Sequence, residues 1–234
     1  MISHHHKCIF VHIPKNAGQS VEHVFVNLLD LNWETRAPLL LRYNDRPELG
    51  PPRLAHLTSQ EYVTRKYLPQ EMFDRYFKFS FVRNPWGRMV SIYSYLGFDK
   101  KYEFKTFMTQ VFRQEVWEDQ YWFVRPQCDF LYSDNDELLV DFVGRFENLQ
   151  GDFNVVCEKL KLPLIDLPHV NQSSTAVARP SRWPRRLLNS MHPGKDSRVI
   201  PKFKRYQDYY DTETKEIVAE LYGRDIALLG YVFD

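Results

Sequence analysis

The chain has 234 residues, 44% of them hydrophobic, which suffices for a substantial core and approaches the upper size of one cooperative unit, so a single domain over 1–234 is expected. Its 31 basic and 30 acidic residues leave no global charge to draw it to nucleic acid or a membrane surface, and any such attraction would need a local cluster. Cys8, Cys128 and Cys157 share no CxxC spacing and read as buried, reduced thiols, and no apolar run approaches the ~18 residues of a membrane span, so neither a zinc site nor a spanning segment is expected.

The chain opens on MISHHHK, which lacks the apolar segment of a secretory leader; a cytoplasmic location is expected, and His4, His5 and His6 read as a solvated chain end with no metal role. Residues 8–13 (CIFVHI) are β-branched and aromatic and predict a strand. A proline and a glycine-bearing turn follow, then a helix whose Val21, Val24, Phe25 and Leu28 share one face. The pattern repeats twice. FKFSFV at 77–82 is a strand, after which Asn84 caps and Pro85 opens a helix with the stripe Met89, Ile92, Tyr93 and Leu96. A strand within 140–147 leads to a helix carrying Phe153, Val156, Cys157 and Leu160. Three strand-then-helix units predict an α/β fold with a central parallel sheet covered by helices on both faces. The helical-looking, aromatic stretches at 59–76 and 100–125 have no predicted place on that sheet. Residues 174–205 read as a long loop or insertion, 212–222 as a helix, and 225–233 as an apolar tail.

Two segments point to phosphate. IPKNAGQS, residues 13–20, sets Lys15 and the small residues Ala17 and Gly18 between a buried strand and a helix N-terminus, a junction that favours anions. The alternative is an ordinary turn with a solvated lysine. GxxxxGK[ST] and a second acidic motif for magnesium are absent, which disfavours a metal-dependent P-loop kinase. In SFVRNPWGRMVSIY, residues 80–93, Arg83 lies just past a strand and Ser91 about two turns into the next helix, so both can face one anion; a surface ion pair is the other reading of Arg83. The C-terminal edge of a parallel sheet gathers such loops, so Lys15 and Arg83 are expected in one crevice, and two phosphate sites there imply a doubly phosphorylated nucleotide.

In these two motifs the chain resembles the sulfotransferases that use 3′-phosphoadenosine-5′-phosphosulfate (PAPS), in the branch of carbohydrate sulfotransferases and their bacterial relatives. PKNAGQS is similar to that family's PKTAGTS-like loop, and FVRNPWGRMVSIY to its FVRNPWxRxxSxY-like segment. The resemblance extends more weakly through RFENL (145–149), PHVN (168–171) and DIALLGYVF (225–233). It implies a P-loop-like fold, PAPS as sulfonate donor with adenosine 3′,5′-bisphosphate (PAP) as product, no obligatory metal, and a hydroxyl or amine acceptor, with a carbohydrate first among small molecules. Lys15, Ala17, Gly18 and Ser20 would grip the 5′ side, and Arg83 and Ser91 the 3′-phosphate. Asn16 and Gln19 stand where the family has threonines, though both side chains can donate. A non-catalytic module that binds PAP is the alternative.

Sulfonate transfer needs in-line attack, neutralisation of the leaving oxygen and a base for the acceptor's proton. The resemblance assigns the second role to Lys15. For the third it implies a histidine or glutamate between the two motifs, where His56 lies just before a helix capped by Thr58 or Ser59; packing is its other reading. His12 is the rival, with a structural role more expected of it, and Glu22 and Glu61 follow. Residues 174–205 hold six arginines and three lysines against Asp196 alone, which reads as a mobile cover over the nucleotide or a lure for an anionic acceptor, with Trp183 free to stack, or else as a solvated loop. The aromatic cluster at 117–123 suits sugar and phenol equally.

Overall fold

A computed structural model describes residues 1–168 and 200–234. Most of the basic segment, Trp183 included, and three of the four PHVN residues lie outside the described residues. In chain order come β1 (Ile2–Ser3), β2 (Cys8–Val11), α1 (Gly18–Leu28), α2 (Glu61–Thr64), α3 (Gln70–Arg75), β3 (Phe77–Val82) and α4 (Pro85–Tyr95). They are followed by α5 (Phe104–Thr106), which runs on as a π-helix over Phe107–Trp117, then α6 (Tyr121–Val124), α7 (Cys128–Leu131), β4 (Phe142–Arg145), α8 (Leu149–Leu160), α9 (Thr212–Leu221) and α10 (Gly223–Leu229).

The sheet has the order β1-β2-β3-β4. β2, β3 and β4 are parallel as predicted, with Phe10 opposite Phe79 and Phe79 opposite Phe142. β1 is antiparallel to β2, pairing Ile2 with Ile9, which corrects the expectation of an all-parallel sheet. The histidine run is solvated at His4 and His5 as expected, but it is a turn and not a free end: it lets β1 fold back on β2, and Met1, Ile2 and Ser3 before it are buried. Side chains alternate across β2. Cys8 and Phe10 join Val21 and Phe25 of α1 and Phe153 and Val156 of α8 on one face, while Ile9 and Val11 join Tyr62, Phe73 and Phe130 on the other.

A third cluster sits beside the sheet. Trp86, Met89, Ile92 and Tyr93 of α4 pack against Phe104, Phe107 and Phe112, and against Val218 and Tyr222 of the C-terminal helices. This is the place of the 100–125 stretch, which packs on α4 and the C-terminal helices. Asn84 caps α4 as expected, its Oδ1 accepting from the N–H groups of Trp86 (3.1 Å) and Gly87 (3.4 Å). The apolar tail is in part helical, as α10. Among the described residues no helix is long and apolar enough to cross a membrane.

Candidate active site

β2 and β3 are neighbours and parallel, so the loops leaving their C-terminal ends meet at one edge of the sheet. The first loop is unusual in its backbone. Lys15 (φ 74°) and Ala17 (φ 59°) both take the left-handed conformation, which costs an L-residue about 1–2 kcal/mol. Neighbouring contacts hold the loop in that shape. The buried Arg88 of α4 donates from Nε to Pro14 O (3.1 Å), and from its terminal nitrogens to the carbonyls of Phe123 (3.1 Å) and Arg125 (2.9 Å). Burial lowers the pKa of this guanidinium, and its carbonyl partners recover part of the lost hydration.

Gln127, fully buried, ties the first loop to the second. Its Oε1 accepts from Asn16 Nδ2 (2.8 Å) and from the N–H of Arg83 (2.9 Å), and its Nε2 donates to Arg83 O (2.8 Å). Asp225 fixes Gln127 in turn, accepting from the N–H groups of Gln127 and Cys128 at 2.8 Å each. Nothing in the sequence singled out Gln127, because it belongs to no motif and stands far from both loops. The weaker RFENL and DIALLGYVF segments also supply ties: Glu147 accepts from the N–H of Asn84 (2.8 Å) and from Tyr231 Oη (3.1 Å).

The cations that this frame presents are close to one another. Arg83 donates from Nη1 to Lys15 O (3.3 Å), and its guanidinium lies 4.0 Å above the Phe146 ring. Lys15 Nζ lies 4.0 Å from the centre of the Tyr95 ring. No carboxylate pairs with either cation among the described residues. Burial, followed by the charge of Arg83, depresses Lys15 to a pKa of about 7. Burial also brings Arg83 down to about 10, with Glu147 opposing that shift. Two desolvated, mutually repelling cations without a carboxylate between them form a site that suits phosphate or sulfate. Gly87, Ser91 and Tyr95 recur every four residues along α4, so they share a stripe. A Cβ on Gly87 would lie 3.5 Å from Arg83 Nε, and Tyr95 carries Lys15, which puts Ser91 between the two cations on that stripe.

The other expected 5′ residues serve varied ends. Asn16 is buried and turned inward, its Nδ2 also donating to Phe81 O (2.8 Å), so its amide protons are committed to the protein; its Oδ1 is buried without a partner. Gly18 makes room for a histidine, since an added Cβ would fall 2.1 Å from the ring of His12. Ala17 starts α1, no side chain caps that first turn, and Ser20 is buried inside it with its N–H on Ala17 O (2.9 Å). Gln19 sits at the edge of the cleft described next.

That cleft, with about 60 Å³ of enclosed room, has His12, Glu22 and His56 along one side. His56 ends a 3₁₀ turn, Leu54–His56, and its Nδ1 donates to His12 O at 2.8 Å. A carbonyl can only accept, so the proton sits on Nδ1 and the lone pair of Nε2 is left available. Burial and then the nearby His12 hold the His56 pKa well below the usual imidazole value. The two rings are 4.4 Å apart. His12 Nδ1 meets Glu22 Oε1 at 2.5 Å, so Glu22 is committed to His12. Glu61 is committed elsewhere, accepting from Thr58 N–H (2.9 Å) in a reciprocal cap of α2 and from Arg65 Nε (2.8 Å). From the 117–123 cluster, Trp122 reaches His56, with ring centres 5.7 Å apart.

A family model described as the sulfotransferase family matches residues 1–232. The chain belongs to that family. This sulfotransferase-family member is also similar to an uncharacterized protein of Archaeoglobus fulgidus, 34% identical over 106 residues, which span 44% of this chain and 82% of the relative. No solved structure matches it significantly. The family match takes in both cation-bearing loops, His56 and the Gln127–Asp225 tie.

Proposed function

We propose that this sulfotransferase-family protein moves a sulfonate group from PAPS to a hydroxyl or amine of a small-molecule acceptor, with a carbohydrate as the favoured class, on a P-loop-like scaffold in one cytoplasmic domain. The observation that carries this reading is the pair Lys15 and Arg83: two desolvated cations joined through the Lys15 carbonyl, without a carboxylate partner among the described residues, at the C-terminal edge of adjacent parallel strands. Arg83 and Ser91 are assigned to the 3′-phosphate, and Lys15 with the main chain of Asn16 to Ser20 to the 5′ side. PAPS would supply the activated sulfonate. Lys15 Nζ would neutralise the oxygen released as the sulfur departs, and His56 Nε2, kept unprotonated by the Nδ1–H bond to His12 O, would take the acceptor's proton.

Titration calorimetry with PAP and with ATP tests the nucleotide half of the proposal, and transfer of label from radiolabelled PAPS to an acceptor panel tests the chemical half. Micromolar or tighter binding of PAP, far above that of ATP, is expected. Equal affinity for the two nucleotides would overturn PAPS as donor. Tight PAP binding without label transfer to any acceptor would leave a binding module.

A further inference from the structure

The last residue of α4 is a tyrosine that the burial pattern of the helix does not explain. Met89, Ile92 and Tyr93 are buried in the third cluster, whereas Tyr95, on the stripe of Gly87 and Ser91, is 45% exposed. Its hydroxyl has no hydrogen-bond partner among the described residues, so the ring is what it contributes. That ring stacks on the buried Phe123, with centres 5.5 Å apart and planes 24° from parallel, and Lys15 Nζ lies 4.0 Å from its centre. Phe123 is fixed in turn: its carbonyl accepts from Arg88 (3.1 Å), and its ring meets Trp122 at 5.4 Å.

The main chain settles where the Lys15 side chain begins. Its φ is left-handed, Arg88 Nε holds the carbonyl before it, and Arg83 Nη1 holds its own. Its far end has no such tie. The ammonium pairs with no carboxylate among the described residues, and burial, followed by the charge of Arg83, opposes its protonation. Among the described residues the Tyr95 ring is the contact that favours the charged form. The face of an aromatic ring is negative, and it attracts a cation most strongly where water is excluded.

We infer that Tyr95, backed by Phe123, is a positioning residue for Lys15: its ring seats the ammonium before a nucleotide arrives and keeps it charged for the departing oxygen. The seat itself stands on the geometry alone, and its use in catalysis rests on the sulfonate-transfer reading above. A lysine held in this way meets the donor already protonated and already aimed. In the transfer, the acceptor oxygen bonds to sulfur and gives its proton to His56. The bond from sulfur to the 5′-phosphate oxygen breaks, and that oxygen keeps the electron pair. A charged Lys15 neutralises the oxygen, which an uncharged amine cannot do.

The test separates the charge distribution of the ring from its packing by placing phenylalanine, or a trifluorophenylalanine of nearly the same shape, at position 95. Fluorine withdraws negative charge from the ring face and leaves the stack on Phe123 in place. Lysine side-chain NMR, with Lys15 assigned by its loss in Lys15→Met, follows the titration without nucleotide. Tyr95→Phe should leave the Lys15 pKa within about 0.3 unit of the unaltered protein, and the trifluorinated ring should lower it by about half a unit or more relative to phenylalanine. In the trifluorinated protein, PAP association should weaken at a correspondingly lower pH, and label transfer should drop severalfold at about pH 7.5 and recover toward about pH 6.5. The same Lys15 pKa with phenylalanine and with trifluorophenylalanine overturns the seat, whatever the activity does. A lowered pKa with label transfer unchanged overturns its use in catalysis. Failure of PAP to bind the unaltered protein would sink the sulfonate-transfer reading, a separate outcome that leaves the NMR result to decide the seat.

Discussion

At the scale of single residues, the features that matter are protonation states set by burial. Lys15, at about 7, is near half-protonated at neutral pH in the free protein, whereas the unfolded chain holds that proton up to the ordinary lysine value of 10.5. The unfolded state therefore binds more protons between those values, and Lys15 destabilises the unliganded fold progressively as pH falls from about 10 to 7. A phosphate beside Lys15 reverses this by raising its pKa again. Binding of PAP should accordingly take up about one proton at pH 8, and the association constant should fall by up to about tenfold per unit between pH 7.5 and 9. Calorimetry in buffers of different ionisation enthalpy measures the uptake, and Lys15→Arg, charged throughout this range, should abolish it. His56 is the complementary case, neutral and with Nε2 unprotonated. His56→Ala should lower turnover by about 10² to 10⁴ with PAP affinity intact, and turnover within threefold of wild type removes it from the mechanism.

Between elements, the decisive tie is Gln127, one carboxamide that bonds the Asn16 side chain and both main-chain groups of Arg83. Gln127→Ala orphans the N–H and the C=O of Arg83 and should destabilise the fold by about 2–4 kcal/mol, read as a lower urea midpoint, while weakening PAP binding because both cations lose their registry. None of this was legible in the sequence. Periodicity reported the strand-then-helix units faithfully, since the stripes of α1 and α8 are patterns of burial against the sheet and that of α4 a pattern of burial against the neighbouring helices, and Asn84-Pro85 declared its cap locally. Gln127, Arg88 and Asp225 work through contacts separated by tens of residues, and single polar residues carry no period. The missing Cβ of Gly18, a residue expected on the 5′ side, also accommodates His12, a contact visible only once β2 and α1 are placed together. The antiparallel β1 escaped for a different reason: at two residues it is too short to show alternation.

Across the whole molecule, a parallel sheet with helices on both faces gathers its chemistry at one edge, and a third cluster around α4 holds that edge from the side. The fold class was readable because three units repeat it, and the cation-bearing loops because each lies within one short motif. The line from Asp225 through Gln127 to Arg83 has a further consequence, for motion. It makes the amide protons of residues 83, 127 and 128 captive to one event, since each is held by a side chain that is itself held by the next. Hydrogen–deuterium exchange should find these three amides leaving at a common slow rate, set by the C-terminal helix lifting away, and slowing together when PAP occupies the edge. Exchange at three unrelated rates would mean that the loops open independently. A common rate would mean that the Arg83 loop opens only when the far end of the chain lets go.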